Sequence, residues 1–254
     1  PQGWAIDPAG GEAEQLTDLP TGVDNFVAAP DGEHLAVVAS VFPECGADME
    51  CNKQKADEKE ASKVKARVYT KLLYRIWDRW LDERRGHVLW VPLDGSAPRD
   101  LTPGDFQTPP HDLGGYADLS ISPDGTEVAF TANQTENPAW NTNNDVFAVS
   151  VSGGPPRNIT ARNEAVDAEP RYSPDGEYIA FVSNVHKNWN LWMMKNDGTR
   201  LTQLTTHEKF DGGPTWGRDG FIYFHTNRSG NWDIWKFKPS GYEVAAWVED
   251  KDQD

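Results

Sequence analysis

Only two cysteines, Cys45 and Cys51, occur in the 254 residues, and no histidine lies near them. That excludes a structural zinc site, which needs four such ligands. The six histidines (His34, His87, His111, His186, His207 and His225) stand apart, with no two at metal-ligand spacing. No G-x-S-x-G turn is present to present a hydrolase serine, and no HExxH, calcium loop, Walker loop or GxGxxG occurs. The chain therefore carries no catalytic machinery of its own, and no motif asks for a cofactor. No apolar run reaches the roughly 18 residues a membrane-crossing helix needs. Positive charge is scarce as well: 24 Lys and Arg against 40 Asp and Glu leave a net charge of −16. Such a surface repels phosphate backbones and excludes nonspecific nucleic-acid binding. It is also awkward for anionic substrates such as acidic sugars. There is no initiating methionine, and the chain opens inside a pattern, PQGWAIDPAGG. A fragment or processed piece is expected.

Turn formers and aromatics are plentiful, with 22 Gly, 18 Pro and 11 Trp. The turn formers fall into a repeat. RYSPDGEYIAFVSN (171–184) is echoed by SISPDGTEVAFTAN (120–133), by VAAPDGEHLAVVAS (27–40) and, worn down, by TWGRDGFIYFHTN (215–227). Pro presets φ near −65° and Gly takes a positive φ, so SPDG is a tight turn. The apolar run behind each turn reads as a short strand buried on both faces. A second strand–turn–strand element follows: HVLWVPLDGSAPRDLT (87–102), NDVFAVSVSGGPPRNIT (144–160), NLWMMKNDGTRLTQLT (190–205) and DIWKFKPSGYEVAAWV (233–248). The turn aspartates Asp31, Asp124, Asp175 and Asp219 are 93, 51 and 44 residues apart. The two shorter intervals suit a four-stranded propeller blade. The fold expected is an all-β propeller of four-stranded antiparallel blades. GWAIDPAGGEAEQLT (3–17) supplies a further half blade, so about four and a half blades are present and the propeller is incomplete.

The long first interval implies an insertion over residues 41–86. Its Glu/Lys/Ala-rich part reads as a helix from about Lys53. Beyond it, Val64, Val68, Leu72 and Ile76 recur at four-residue spacing, and helical continuation or an extended arm both fit. Cys45 and Cys51 flank a Gly- and Asp-containing loop. Two outcomes stand, a small disulfide requiring an oxidising compartment or two reduced thiols, and the disulfide is favoured because no other thiol competes. YRIWDRW (74–80) concentrates aromatic and charged side chains. Arg75 or Asp78 could pair with a ligand among the Trp rings, or the segment could pin the insertion to the blade. NPAWNTNND (137–145) offers amides beside Trp140, for a ligand or for their own backbone.

SPDG plus strand, followed by an IW-type strand and GG…LT, resembles the TolB-like propeller repeat. FPEC…C, YRIWDRW, the HVLW strand and AWNTNNDVF together resemble more closely the prolyl oligopeptidase family of serine peptidases, in its dipeptidyl-peptidase V and acylaminoacyl-peptidase branch. The resemblance spans essentially the whole chain. It implies a propeller that limits access to short peptides and holds their N-terminal ends for an α/β-hydrolase domain, which is absent here. It implies substrate-facing roles for Arg75, Trp77, Asp78, Trp140, Asn141 and Asn143, release of dipeptides or acylated amino acids, and a periplasmic or secreted location. The competing expectation is a non-catalytic TolB-like propeller acting as a protein-binding scaffold.

Overall fold

A computed structural model describes residues 1–70, 72–111 and 118–240. Each SPDG-type stretch makes the same turn. Gly32, Gly125, Gly176 and Gly220 take φ of +70° to +75°, where a Cβ would clash with the backbone. Asp31, Asp124, Asp175 and Asp219 each accept the amide two residues on through Oδ1, at 2.8–3.2 Å. In the two full SPDG copies the serine closes the loop. Ser122 Oγ accepts from Glu127 N at 3.0 Å and Ser173 Oγ from Tyr178 N at 2.9 Å.

These turns join the first two strands of four blades. The first blade holds Asn25–Ala28, His34–Val41, Arg85–Pro92 and Arg99–Asp100. The second holds Leu119–Ile121, Glu127–Ala132, Asp145–Ser150 and Arg157–Asn158. The third holds Asp167–Tyr172, Tyr178–Ser183, Asn190–Lys195 and Thr202–Gln203. The fourth shows Asp211–Trp216, Ile222–Thr226 and Asp233–Phe237, and the outer strand expected near residue 248 lies outside the described residues. Strands pair antiparallel in chain order throughout. Trp4–Ala5 pairs with Glu14–Gln15 as a separate two-stranded sheet, and Leu19 and Val23 beyond it pack on the first blade.

Alternation along the second strand of each blade divides its side chains between two neighbours. Ile179 and Phe181 pack on Ala129, Val146 and Ala148 of the second blade. Ala180 and Val182 pack on Ile222 and Phe224 of the fourth. Between the first and second blades, Ala36 and Val38 meet Val128 and Phe130, whose ring stacks on Phe147 at 5.7 Å. Each contact thus sets an alanine on one blade against a large side chain on the next, as close packing demands.

The closing Leu-Thr or Ile-Thr of the repeat also has a fixed task. Thr102, Thr160 and Thr205 are buried, and each Oγ1 accepts an amide of the third strand: Val88 N, Val146 N and Leu191 N, at 2.9–3.0 Å. Thr17 does the same for Gly3 N at 2.8 Å. First strands of successive blades lie side by side and are cross-linked. Tyr172 N donates to Ser120 Oγ at 3.1 Å, and Gly213 N to Glu169 Oε2 at 2.7 Å. Glu169, at φ +58°, stands in its bulge where the fourth blade has Gly213 at +63°.

The insertion leaves the blade after Val41 and returns at Arg85, so it comprises residues 42–84. Its helix runs Met49–Ala61, four residues earlier than the composition suggests, because Asp48 caps it: Asp48 Oδ1 accepts Cys51 N at 3.0 Å. Beyond Ser62 the described residues of the insertion are not helical. Val64, Val68 and Leu72 are exposed, so their four-residue spacing has no surface to bury and helical continuation gains nothing.

Two measurements check this account. Phe181→Ala empties the contact between the second and third blades and should cost about 3–5 kcal/mol in denaturant unfolding. The Ser122 hydroxyl, then the Thr126 amide, hold the Asp124 carboxyl below the usual carboxylate range. A lowered folded pKa gives support that is present at neutral pH and lost as pH falls through the folded value. The stability gap between the protein and Asp124→Asn should therefore close in acid; a gap that widened in acid would overturn this reading of the turn.

Candidate functional site

Chain direction alternates within a blade, so the SPDG turns and the turns between third and fourth strands share one end of the propeller. The insertion and the loops 133–144, 184–189 and 227–232 join second to third strands and share the opposite end. Every candidate substrate-facing residue is on that loop face.

The insertion is anchored at both ends of its helix. Cys45 and Cys51 are bonded to each other. Asn52, fully buried, accepts Phe42 N at 2.9 Å and donates to Gly46 O and Asp48 O at 2.9 and 2.8 Å. At the far end Lys59 pairs with Glu83, holding that carboxyl below its usual range, and with Asp82 at 3.4 Å. The returning segment forms a hairpin, Arg75–Ile76 against Arg79–Trp80. Tyr69, Tyr74 and Trp80 cluster with ring centroids 5.6–6.1 Å apart, and Tyr69 Oη donates to Leu81 O at 3.1 Å. The guanidiniums of Arg67 and Arg75 lie 5.8 and 5.9 Å from the Trp80 ring. Arg75 is thus engaged in packing, while Trp77 (70% exposed, φ +52°) and Asp78 project at the hairpin tip.

In the Asn-rich loop, Asn141 works as an organiser. Its Oδ1 accepts from Asn133 Nδ2 at 3.1 Å and from Asn143 N at 2.9 Å, and its Nδ2 donates to Thr135 Oγ1 and Asn137 O, both at 2.9 Å. Asn143 directs its amide nitrogen at Ala165 O and Glu164 O, at 3.2 and 3.3 Å. Trp140 follows on a single 3-10 turn and is 77% exposed. Of the six candidates, Trp77, Asp78 and Trp140 stand exposed, while Arg75 lies against Trp80 and Asn141 and Asn143 are bonded within and beside their loop.

Sequence reading overlooked four buried carboxylates at this end, Asp118, Asp145, Asp167 and Asp211, of which Asp145 and Asp167 are pushed up by burial. The repeat held the signal: Asp167 and Asp211 each stand eight residues ahead of a turn aspartate.

Successive antiparallel blades, each with an SPDG-type turn between its first two strands, define a TolB-type propeller. The TolB beta propeller domain family matches residues 119–251, just over half of the chain, and the chain belongs to that family. Among curated relatives, dipeptidyl-peptidase 5 of Porphyromonas endodontalis is 27% identical over 186 residues, covering 70% of this chain and 26% of the relative. Dipeptidyl-peptidase 5 of Arthroderma otae is 27% identical over 199 residues, covering 70% and 27%. The chain thus spans about a quarter of the length of the curated relatives it matches. Solved structures share the fold. A puromycin-hydrolyzing peptidase of Mycobacterium tuberculosis superimposes with TM-score 0.62 at 16% identity, over 93% of this chain and 33% of that one. TolB of Acinetobacter baumannii gives 0.59 at 17%, over 92% and 45%.

Replacing Asn141 by Ala removes the centre of its loop and should cost about 1–2 kcal/mol in urea unfolding. Trp140→Ala should stay within about 0.5 kcal/mol; equal costs would refute this division between organiser and presented side chain.

Proposed function

We propose that the chain is the substrate-gating propeller portion of a serine exopeptidase that releases dipeptides or acylated amino acids from peptide N-termini in the periplasm or outside the cell. The observation that carries this reading is the similarity to dipeptidyl-peptidase 5 proteins over 70% of the chain, combined with its coverage of only a quarter of those proteins. The remaining length of such a protein has room for the α/β-hydrolase domain that the chemistry requires. In this arrangement the loop face turns toward the hydrolase. Trp77 and Trp140 offer flat apolar contacts to a short peptide, and Asp78 offers a carboxylate to its positive terminus. Anchoring the insertion at both ends of its helix supports Trp77 and Asp78, and the Asn141 hydrogen bonds support Trp140, without the entropy loss of ordering a free loop. The Cys45–Cys51 bond suits an oxidising compartment.

A non-catalytic scaffold is the second reading, favoured by the likeness to TolB of Acinetobacter baumannii. It gives no task to the presented tryptophans of the insertion and the Asn-rich loop.

The complete gene product should hydrolyse dipeptidyl- or acylaminoacyl-coumarin substrates. The double variant Trp77→Ala, Trp140→Ala should raise KM by roughly 3- to 10-fold with kcat largely kept, the pattern of lost uniform binding. Absence of hydrolysis on both substrate classes would end the peptidase reading. Unchanged KM would remove the loop-face assignment alone.

A further inference from the structure

In the fourth blade the aspartate that opens the first strand is paired with a cation, and among the described residues its counterpart in the third blade, Asp167, is not. Asp211 is fully buried at the start of its strand, and Arg228 Nη2 donates to both of its carboxylate oxygens at 2.7 Å. The same guanidinium donates through Nε to Thr226 Oγ1 at 3.3 Å and lies over the rings of Phe224 and Trp235, 5.4 and 4.9 Å from their centroids. Strand register aligns the third blade with this group. Asp167 pairs with Ser183 as Asp211 pairs with Thr226, and Phe181 pairs with Trp192 as Phe224 pairs with Trp235. Two residues past Ser183, where the fourth blade has Arg228, the third has Val185.

A cavity of about 140 Å³ lies at this point, lined by Asp167, Phe181, Ser183, Val185 and Trp192 among others. Four of its walls, Asp167, Phe181, Ser183 and Trp192, are the counterparts of Asp211, Phe224, Thr226 and Trp235 around the Arg228 side chain. Asp167 is fully buried there. Its Oδ2 accepts from Asn163 Nδ2 at 3.0 Å, whereas Oδ1 accepts no hydrogen bond. Burial pushes this carboxyl up and the Asp145 charge adds to the push, against the neighbouring Ser183, Asn163 and Thr160 side chains, which pull it down.

We propose that this cavity is a binding site for an alkylguanidinium group, held against Asp167 and the Phe181 and Trp192 rings as Arg228 is held in the next blade. The chemistry favours guanidinium over ammonium. Only the planar fork pairs with a carboxylate while lying flat on aromatic faces. A cavity of about 150 Å³ admits a benzene-sized guest, so a guanidinium on a short alkyl stem fits. The guest is an arginine side chain of a bound peptide or a free alkylguanidine. Arg162 also lines the cavity and carries the same head group, so it is a competitor within the chain. None of this depends on the peptidase reading.

The test uses the chain itself, with dilute n-propylguanidine, its uncharged analogue n-propylurea, and N-acetyl-arginine amide, followed by titration calorimetry and thermal unfolding. Propylguanidine should bind saturably and at least about tenfold more tightly than propylurea, as loss of one charge-assisted contact implies. Binding of the arginine amide as well would mark a peptide arginine as an accepted guest; binding of propylguanidine alone would mark a free small molecule. Asp167→Asn should abolish the preference for the charged probe. Arg162→Gln should keep or tighten binding. Val185→Arg should occupy the site from within, abolishing probe binding and raising the melting temperature by about 2–4 °C. Equal binding of propylguanidine and propylurea would overturn the proposal. So would an unchanged preference in Asp167→Asn, loss of binding in Arg162→Gln, or a folded Val185→Arg protein that still binds the probe.

Discussion

A four-stranded sheet with apolar side chains on both faces cannot hide them alone, and the whole architecture follows from that constraint. Along Tyr178–Ser183, one set of side chains belongs to the contact with the second blade and the other to the contact with the fourth. No blade is therefore an independent core. Each phenylalanine of the repeat stands across from small side chains of the preceding blade, so the packing depends on size matching between segments 44 to 94 residues apart in sequence. This is the nearest-neighbour energetics of repeat architectures, in which most stabilisation resides at the interfaces.

Polar groups take the positions that this packing leaves. On the third strands a buried amide has no ladder partner, and the threonine closing each Leu-Thr or Ile-Thr supplies one in three blades and in the N-terminal half blade. Leaving such a donor unmade in the interior costs about 1–3 kcal/mol, which explains why a hydroxyl sits in an otherwise apolar stack. Buried and half-buried carboxylates are answered less uniformly. His87 meets Asp100 at 2.7 Å, Arg228 meets Asp211, and Asn158 and Thr160 meet Asp145. Asp167 is the member of this series whose second oxygen goes without a partner. Repetition makes such a departure visible, because each blade serves as a reference for its neighbours.

The candidate functional residues, by contrast, gather where the repeat is interrupted. The insertion and the Asn-rich loop occupy the same strand junction in successive blades, so both open on one face. Loops there can vary without disturbing the stack, since the flanking strands are held by their blade. Family membership and the similarity to dipeptidyl-peptidase 5 proteins agree with the resemblance carried by YRIWDRW and AWNTNNDVF. Individual side chains within those motifs divide by task in a way their spelling conceals. Asn141 and Trp140 are adjacent in sequence, yet one is knotted into its loop and the other stands in solvent.

Turns, strand order and blade count were legible in the sequence because they rest on local rules. Pro and Gly set dihedrals within four residues, and alternation marks a strand whatever lies around it. The helix start at Met49 was less legible, since a single Asp48 cap outweighed the composition that begins at Lys53. Tertiary structure alone decided which face of each strand meets which neighbour, that Arg75 lies on Trp80, and that Val185 leaves a space beside Asp167. Those outcomes depend on contacts between distant segments, where an energy belongs to a pair of surfaces. No short stretch of sequence contains both members of such a pair.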